Sequence, residues 1–236
     1  MKIVNNWHNI IQYSLLPPSC ILCEHRGMQH MDLCQHCYNG LLRLGNHCYC
    51  CAKQFASDSV NIQLCGECLK NHPAFDRTYA SFVHKGAIRY LINRCKFNGA
   101  YKNSRVLGLL LADYLATNAE LPELIIPVPL HPKRYRQRGF NQTLEIAKII
   151  AQKLSIPIDN NCCLHLKNTP HQISLTAKQR HKNIKNAFQV VTKPKARHIA
   201  ILDDVMTTGA TANELAKTLK LSGVSQVDVW VCARAT

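Results

Sequence analysis

Four pairs of cysteines with the spacing C-x-x-C lie near the start of the chain and constrain its fold more than any other feature. The pairs are Cys20/Cys23, Cys34/Cys37, Cys48/Cys51 and Cys65/Cys68. Zn²⁺ prefers a tetrahedron of four thiolates, and one C-x-x-C turn supplies two of them. Taken in order along the chain, the pairs predict two zinc ribbons, each built from two successive turns. An interleaved pairing of the four turns is the alternative that the spacing leaves open.

A disulfide framework is the competing explanation for so many cysteines. We expect zinc instead, because the first 18 residues lack the apolar core of an export signal and the reducing cytosol disfavours disulfides. The sequence also lacks a run of about 18–20 apolar residues, the length that a membrane span requires. These features predict a cytoplasmic protein without a transmembrane segment. The alternative metal ligands are Cys50, which could replace Cys51, and the histidines His25, His30, His36 and His47.

The chain of 236 residues is long enough for one large domain and one small module. We expect residues 1–72 to form an N-terminal helix and the double zinc-ribbon module, and residues 73–236 to form the large domain. A module of this size buries little apolar surface, so bound metal would supply much of its folding free energy. Sites filled by four cysteines leave no open coordination position for a substrate. The module is therefore expected to have a structural or protein-binding role.

Strand and helix patterns alternate from residue 73 onward. Strands are predicted at 78–84, 124–129, 198–203 and 226–232, with a further short segment at 162–166. Helices are predicted at 86–97, 104–118, 141–154 and 211–222. This alternation is typical of an α/β domain with a mainly parallel sheet flanked by helices. In such sheets ligands bind beyond the carboxyl ends of the strands.

The stretch ILDDVMTTGAT, residues 201–211, places two acids and a small, hydroxylated loop after an apolar strand. Asp203 and Asp204 come at the predicted end of that strand. Carboxylates there suit the adjacent hydroxyls of a ribose, directly or through Mg²⁺. The loop consists of Thr207, Thr208, Gly209, Ala210 and Thr211. Its backbone N–H groups and the start of the next helix favour a phosphate.

This stretch resembles the 5-phosphoribosyl-1-pyrophosphate (PRPP) motif of type I phosphoribosyltransferases. There an apolar strand runs into Asp-Asp or Glu-Asp and then into Thr-Thr/Ser-Gly-x-Thr. The resemblance implies a type I phosphoribosyltransferase-like fold and a site for PRPP with Mg²⁺. It also implies that Asp203 and Asp204 hold the ribose as catalytic residues, and that Thr207–Thr211 bind phosphate.

Three other stretches resemble motifs of the ComF competence family, including its ComFC-like and GntX-like groups. They are PVPLHPKRYRQRGFNQ at 127–142, TPHQISLTAKQRHKN at 169–183 followed by Ala187-Phe188, and CKFNG at 95–99. The resemblance implies that Lys133, Arg134 and Arg138 bind pyrophosphate, for which cations of this kind are suited. It further implies that Arg180 and Asn183 lie on a lid over the phosphates. His165 and Lys167 stand where the family often carries arginines.

The positive charge of the chain is concentrated in one segment. The formal net charge is +15, and residues 131–197 contain 14 Lys or Arg against Glu145 and Asp159, a net charge of +12. Such a segment favours a polyanionic partner. The segment contains few aromatic residues that could stack on bases, so we expect sequence-tolerant binding of single-stranded DNA.

Two functions remain open at this point. The family resemblance implies a role in DNA uptake during natural transformation, with a PRPP/Mg²⁺ site, bound single-stranded DNA and competence proteins such as a helicase-like translocation partner. Such a protein is expected in the cytoplasm, at the inner face of the membrane through its partners. The alternative is an active phosphoribosyltransferase that transfers phosphoribosyl from PRPP to an unidentified acceptor.

Overall fold

The computed structural model of the protein describes residues 18–56, 63–96, 101–167 and 184–235. Within these ranges the helices are α1 (Gln35–Asn39), α2 (Gly66–Lys70), α3 (Gly86–Arg94), α4 (Tyr101–Asn118), α5 (Pro132–Arg138), α6 (Gln142–Leu154) and α7 (Ala210–Leu221). The strands are β1 (Arg77–Val83), β2 (Leu124–Pro127), β3 (Cys163–His165), β4 (Phe188–Val190), β5 (His198–Met206) and β6 (Gln226–Arg234).

A four-stranded parallel sheet in the order β1-β6-β5-β2 organises the large domain. The central strands β5 and β6 pair from His198↔Gln226 to Met206↔Arg234. β3 and β4 form a separate antiparallel pair. The strands are apolar along most of their length because helices and other elements cover both faces of the sheet. The prediction of a mainly parallel α/β sheet is therefore confirmed.

The sheet separates two hydrophobic cores, because successive side chains of a strand point to opposite faces. On one face, Ala200 and Leu202 of β5 pack with α3, α4 and α6, and we call this core 1. On the other face, Ile199 and Ile201 pack with α7, β3 and β4, and we call this core 2. An element that joins core 1 therefore lies across the sheet from one that joins core 2.

The first two and the last two C-x-x-C turns of the N-terminal region pack into different cores. Cys20 and its neighbours Met31 and Leu33 belong to core 1, whereas Cys48 and Cys65 belong to core 2. The chain between them runs along the edge strand β1, where the N–H of Val83 donates to the carbonyl of Leu42 (2.9 Å) and the N–H of Leu44 to that of Ser81 (3.1 Å). The first two C-x-x-C turns and the last two thus lie against opposite faces of the sheet.

Two of the elements that differ from the sequence predictions are β5 and α5. β5 continues to Met206, three residues past its predicted end, because the opposite residues of β6 supply backbone partners as far as Arg234. α5 was not predicted, although Pro132 at its first turn and Gly139 in the left-handed region (φ 82°) at its end are ordinary start and stop signals. Its sequence PKRYRQR has no apolar stripe, so periodicity does not reveal it.

α4, with 18 residues, is the longest helix of the described chain and crosses α6 at close range. Gly108 makes this approach possible, since a Cβ atom at this position would lie 2.7 Å from Cβ of Ile149 and 3.2 Å from the carbonyl oxygen of Ile146. Among the described residues, no helix is both long and apolar enough to cross a membrane.

We expect Gly108→Ala to lower the free energy of unfolding by about 1–3 kcal/mol, because the added methyl group overpacks the α4–α6 contact. Gly66→Ala in α2 is the control, since nothing lies within 4 Å of a Cβ atom there. Urea denaturation followed by circular dichroism measures both variants. An equal change in the two would show that helix propensity, and not the contact with Ile149, governs the result.

Candidate functional site

A cleft of about 580 Å³ lies at the carboxyl ends of β2 and β5, where parallel α/β sheets bind ligands. Most of the predicted site residues line it: Asp203, Asp204, Thr207, Thr208, Gly209, Ala210, Thr211, Arg134 and Arg138. Lys133 is exposed and is not among the lining residues; its backbone N–H donates to Nδ1 of His131 at 3.2 Å. Arg180 and Asn183 lie outside the described residues.

The two acids are adjacent in β5, so their side chains leave opposite sides of the strand. The backbone N–H of Asp204 donates to Oδ1 of Asp203 at 2.8 Å, and Asp204 is only 5% exposed. Burial, together with the neighbouring Asp204 carboxylate, raises the pKa of Asp203 to about 8. A divalent cation or hydroxyl donors would stabilise the ionised form of this pair. The donor set therefore fits Mg²⁺ and ribose hydroxyls.

A polar network holds the Asp204 carboxylate. Nζ of Lys96 lies 3.5 Å from its Oδ2, and Nε2 of Gln142 donates to the same oxygen at 3.3 Å. Arg138 donates through Nη1 to Oε1 of Gln142. Lys96 and Gln142 both lie in motifs that carry the family resemblance, but neither was predicted to contact the two acids. The buried Asp204 carboxylate thus contacts one cation, Lys96, directly, and the amide of Gln142 links it to a second cation, Arg138.

The loop after β5 presents unsatisfied backbone donors. Gly209 adopts φ 77° and forms the N-cap of α7, while the N–H of Ala210 donates to Oγ1 of Thr208 at 3.3 Å. Elsewhere in the loop, within the part of the chain that the structure describes, the N–H groups of Thr208, Gly209 and Thr211 have no acceptor. Because these donors lie at the positive end of a helix of 12 residues, the loop suits a phosphate group.

Arg134 and Arg138 of α5 line the same cleft. Burial lowers the pKa of Arg134, and the neighbouring Arg138 lowers it further. Burial also lowers the pKa of Arg138, against the opposing effect of Asp204. Both guanidinium groups remain charged at neutral pH, since an arginine pKa lies far above it. Partly desolvated cations in the cleft that contains the phosphate loop favour a second anionic group there.

His165 lines the cleft at a position where the family resemblance leads one to expect arginine. Burial lowers its pKa to about 4, so the ring is neutral. Nδ1 lies 3.2 Å from the carbonyl oxygen of Pro129, to which it donates, and the ring packs 4.6 Å from that of Phe188. Nε2 is then an acceptor, and it has no partner among the described residues. Lys167 instead donates to the carbonyl of Lys185.

The eight paired cysteines form two clusters. Cys20, Cys23, Cys34 and Cys37 make up the first, and Cys48, Cys51, Cys65 and Cys68 the second. In each cluster the Sγ atoms all lie within 4.8 Å of one another. Tetrahedral zinc with Zn–S bonds of 2.3 Å needs sulfur atoms about 3.8 Å apart, so both clusters fit the ion. This is the sequential grouping, not the interleaved one.

Each cluster favours the thiolate form at one cysteine, whereas burial raises the pKa of Cys37 in the first cluster and of Cys51 and Cys68 in the second. Burial acts to raise the pKa of Cys20, but backbone N–H donors, that of Cys34 first, lower it to about 6. In the second cluster burial opposes the N–H of Cys68 and the surrounding thiols, which lower the pKa of Cys65 to about 7. Thiolates are the form that binds metal. Cys50 lies outside the second cluster, with its thiol 3.9 Å from the carbonyl oxygen of Phe75.

A basic, aromatic face of α3 adjoins the cleft. Arg89, Tyr90 and Arg94 are exposed on one side of the helix, and Arg94 lies 5.9 Å from the centroid of the Tyr90 ring. Asn93, on the same side, lines the cleft. Residues 85–105 contain six Lys or Arg and no acid. We call Arg89, Tyr90 and Arg94 the α3 face. In the sequence, only the absence of acids from residues 85–105 indicates this face.

The described residues of the basic segment 131–197 do not form one surface. α5 follows β2 and therefore lies at the carboxyl edge of the sheet, beside the cleft. Lys195 and Arg197 immediately precede β5 and so lie at the amino edge. In a parallel sheet these edges are opposite ends of the strands. Net charge along the sequence therefore did not reveal which cations lie near the site.

Comparison with known proteins extends over both parts of the chain. A double zinc ribbon domain family matches residues 11–69. Competence protein F of Haemophilus influenzae is 36% identical over 229 residues, which cover 92% of this chain and 96% of that protein. DNA utilization protein YhgH of Salmonella typhimurium is 30% identical over 225 residues, covering 93% and 98%. Competence protein ComFC of Streptococcus pneumoniae is 27% identical over 208 residues, covering 86% and 87%.

We expect Cys51→Ser to lower the zinc content from about two ions per chain to about one, because the second cluster loses a ligand. Cys50→Ser, at the adjacent position but outside the cluster, should keep both ions. Elemental analysis of the purified variants measures the content. Loss of zinc from Cys50→Ser together with retention in Cys51→Ser would show that Cys50 is the ligand.

Proposed function

Because the chain belongs to the ComF competence family, we propose that it acts in DNA uptake, binding PRPP with Mg²⁺ in the cleft and single-stranded DNA beside it. The observation that carries the proposal is the meeting of three groups in one cleft. An acid pair, a phosphate loop and the cations of α5 all line it. A phosphorylated sugar that carries a second anionic group matches this arrangement.

PRPP has one group for each part of the cleft. Its 5-phosphate would accept hydrogen bonds from the loop at Gly209, where the N–H groups are unsatisfied. Its ribose hydroxyls would lie against Asp203 and Asp204, with Mg²⁺ neutralising these carboxylates. Its pyrophosphate would face Arg134 and Arg138. Charge and hydrogen-bonding capacity are thus complementary along the whole ligand.

An active phosphoribosyltransferase is the second candidate function, favoured by His165. The neutral ring lines the cleft, and its buried Nε2 is an acceptor without a partner among the described residues. In that reaction the bond from C1 of the ribose to pyrophosphate breaks, a bond from an acceptor nitrogen to C1 forms, and the acceptor's proton leaves to water or to the departing pyrophosphate. Arg134 and Arg138 would stabilise the departing pyrophosphate.

The exposed residues of the α3 face are the basis for proposing that the chain binds single-stranded DNA. Tyr90 is 49% exposed, which leaves a ring face for a base, and the arginines beside it suit the phosphates on either side. Asn93 and Lys96 carry this polar surface into the cleft. A strand on the α3 face would therefore pass next to the PRPP site. In this proposal the chain works in the cytoplasm with competence proteins, such as a helicase-like translocation partner, at the inner face of the membrane.

We expect Asp204→Asn to weaken PRPP binding about ten- to a hundredfold, because a hydrogen bond to a charged group is worth about 1.5–3 kcal/mol. Asp113→Asn, at an acid on α4 that pairs with Lys153, should bind as the wild type does. Isothermal titration calorimetry with and without Mg²⁺ measures the affinities. Absence of PRPP binding by the wild type would refute the proposed ligand.

We expect Arg89→Glu/Arg94→Glu to weaken binding of a fluorescent oligothymidine about tenfold or more, since two phosphate contacts are lost. The slope of log affinity against log salt should fall by about 1.4. Lys195→Glu/Arg197→Glu makes the same change of charge at the opposite edge of the sheet. Equal loss in both double variants, measured by fluorescence anisotropy, would show that net charge alone governs binding and that the α3 face is not the DNA path.

A further inference from the structure

Arg234, the last residue of β6, connects the second cysteine cluster with the phosphate loop. It is 7% exposed and donates through Nε to the carbonyl of Cys51 at 2.9 Å. Its Nη1 donates to the carbonyls of Met206 at 3.2 Å and of Thr207 and Ala235. One planar guanidinium therefore holds the backbone of a metal-binding turn and the backbone at the start of the loop.

The charge of Arg234 is satisfied by carbonyl groups. Within the described ranges, no carboxylate lies within 4.0 Å of its nitrogens. A buried cation without an acidic partner depends on several well-placed acceptors. Loss of the Cys51 carbonyl would leave Nε unpaired, and the remaining contacts would have to shift. The arrangement of the phosphate loop is thus tied to the position of Cys51.

Two further contacts join the chain around the second cluster to the same region. The thiol of Cys50 lies 3.9 Å from the carbonyl oxygen of Phe75, and a Cβ atom on Gly209 would lie 3.8 Å from the Phe75 ring. The N–H of Ala74 donates to Oδ1 of Asn213, in the first turn of α7, at 2.6 Å. The chain that leaves the second ribbon therefore packs directly against the start of α7.

The first cluster makes no such connection among the described residues. It packs into core 1, on the other face of the sheet, and its ion pair runs from Asp32 to Arg105 of α4 at 2.7 Å. The two clusters are alike in ligand type and spacing, yet they differ in what they touch. This difference supplies an internal control for any effect of metal on the phosphate loop.

We propose that Arg234 is a positioning residue that couples metal occupancy of the second cluster to the conformation of the phosphate loop. The four thiolates hold the Cys51 turn in place when zinc is bound, and Arg234 transmits that position to the carbonyls of Met206 and Thr207. Coupling of this kind is reciprocal, so a ligand on the loop must also help to retain the metal. That second consequence rests on the proposed PRPP site, whereas the coupling itself does not.

Hydrogen exchange of residues 203–213 in the full, zinc-loaded chain tests the coupling. Arg234→Lys keeps the charge but has no planar fork, so exchange in this segment should become about tenfold faster with the zinc content unchanged. Cys51→Ser should give the same local change, and Cys37→Ser in the first cluster should not. Arg77→Lys is the matched control, because Arg77 stacks 4.2 Å from the Tyr49 ring of the second ribbon, whereas the described side-chain bonds to the Met206 and Thr207 carbonyls come from Arg234.

Unchanged exchange at 203–213 in Arg234→Lys would overturn the proposal. Faster exchange spread equally over α4 would also overturn it, since that result marks a general loss of stability. If Cys51→Ser does not fold, the comparison of Arg234→Lys with Arg77→Lys still decides the question.

Zinc release to a zinc-binding dye tests the reciprocal effect. PRPP with Mg²⁺ should slow release about fivefold from Cys37→Ser, which keeps the second site, and leave release from Cys51→Ser unchanged. PRPP that binds without slowing release would contradict reciprocity and hence the coupling. Failure of PRPP to bind the wild type in calorimetry would instead refute the proposed ligand, and hydrogen exchange would still decide the role of Arg234.

Discussion

The parallel pairing of β5 with β6 is the interaction on which the rest of the structure depends. A parallel pair requires a crossover connection, and here the crossover is α7. The pairing therefore places the N-terminus of α7, and with it the phosphate loop, at the carboxyl edge of the sheet. It also brings Met206 opposite Arg234, so that the end of β6 can reach the loop and the second ribbon.

The ribbons share the cores of the large domain. Cys20 joins the core of α3, α4 and α6, and Cys48 joins the core of α7. A short, cysteine-rich segment buries little apolar surface alone, so metal and the neighbouring cores both contribute to its stability. One consequence is that the second ribbon lies close enough to the site to affect it, while the first is separated from it by the sheet.

The electrostatics of the cleft are mixed in a chain that is strongly basic overall. The buried Asp204 carboxylate is held by Lys96 and Gln142, and the guanidinium groups of Arg134 and Arg138 line the same cleft. A simple polyanion would meet repulsion from the acids, whereas a ligand that brings a cation as well as phosphates would not. The α3 face is more uniform, because Arg89 and Arg94 lie there and residues 85–105 contain no acid.

Sequence alone determined the features that are local along the chain. A C-x-x-C turn and the strand–loop–helix at 198–222 each lie in one contiguous stretch, so spacing and residue type identified them. The tertiary structure decided the grouping of the thiols into two clusters, because the spacing of the turns does not show which of them meet in space. It also decided the extension of β5 to Met206, which needs the partners that β6 supplies. Lys96, His165 and Arg234 reach the site from strands and helices far apart in sequence, and only packing of the sheet and helices brings such side chains within hydrogen-bonding distance.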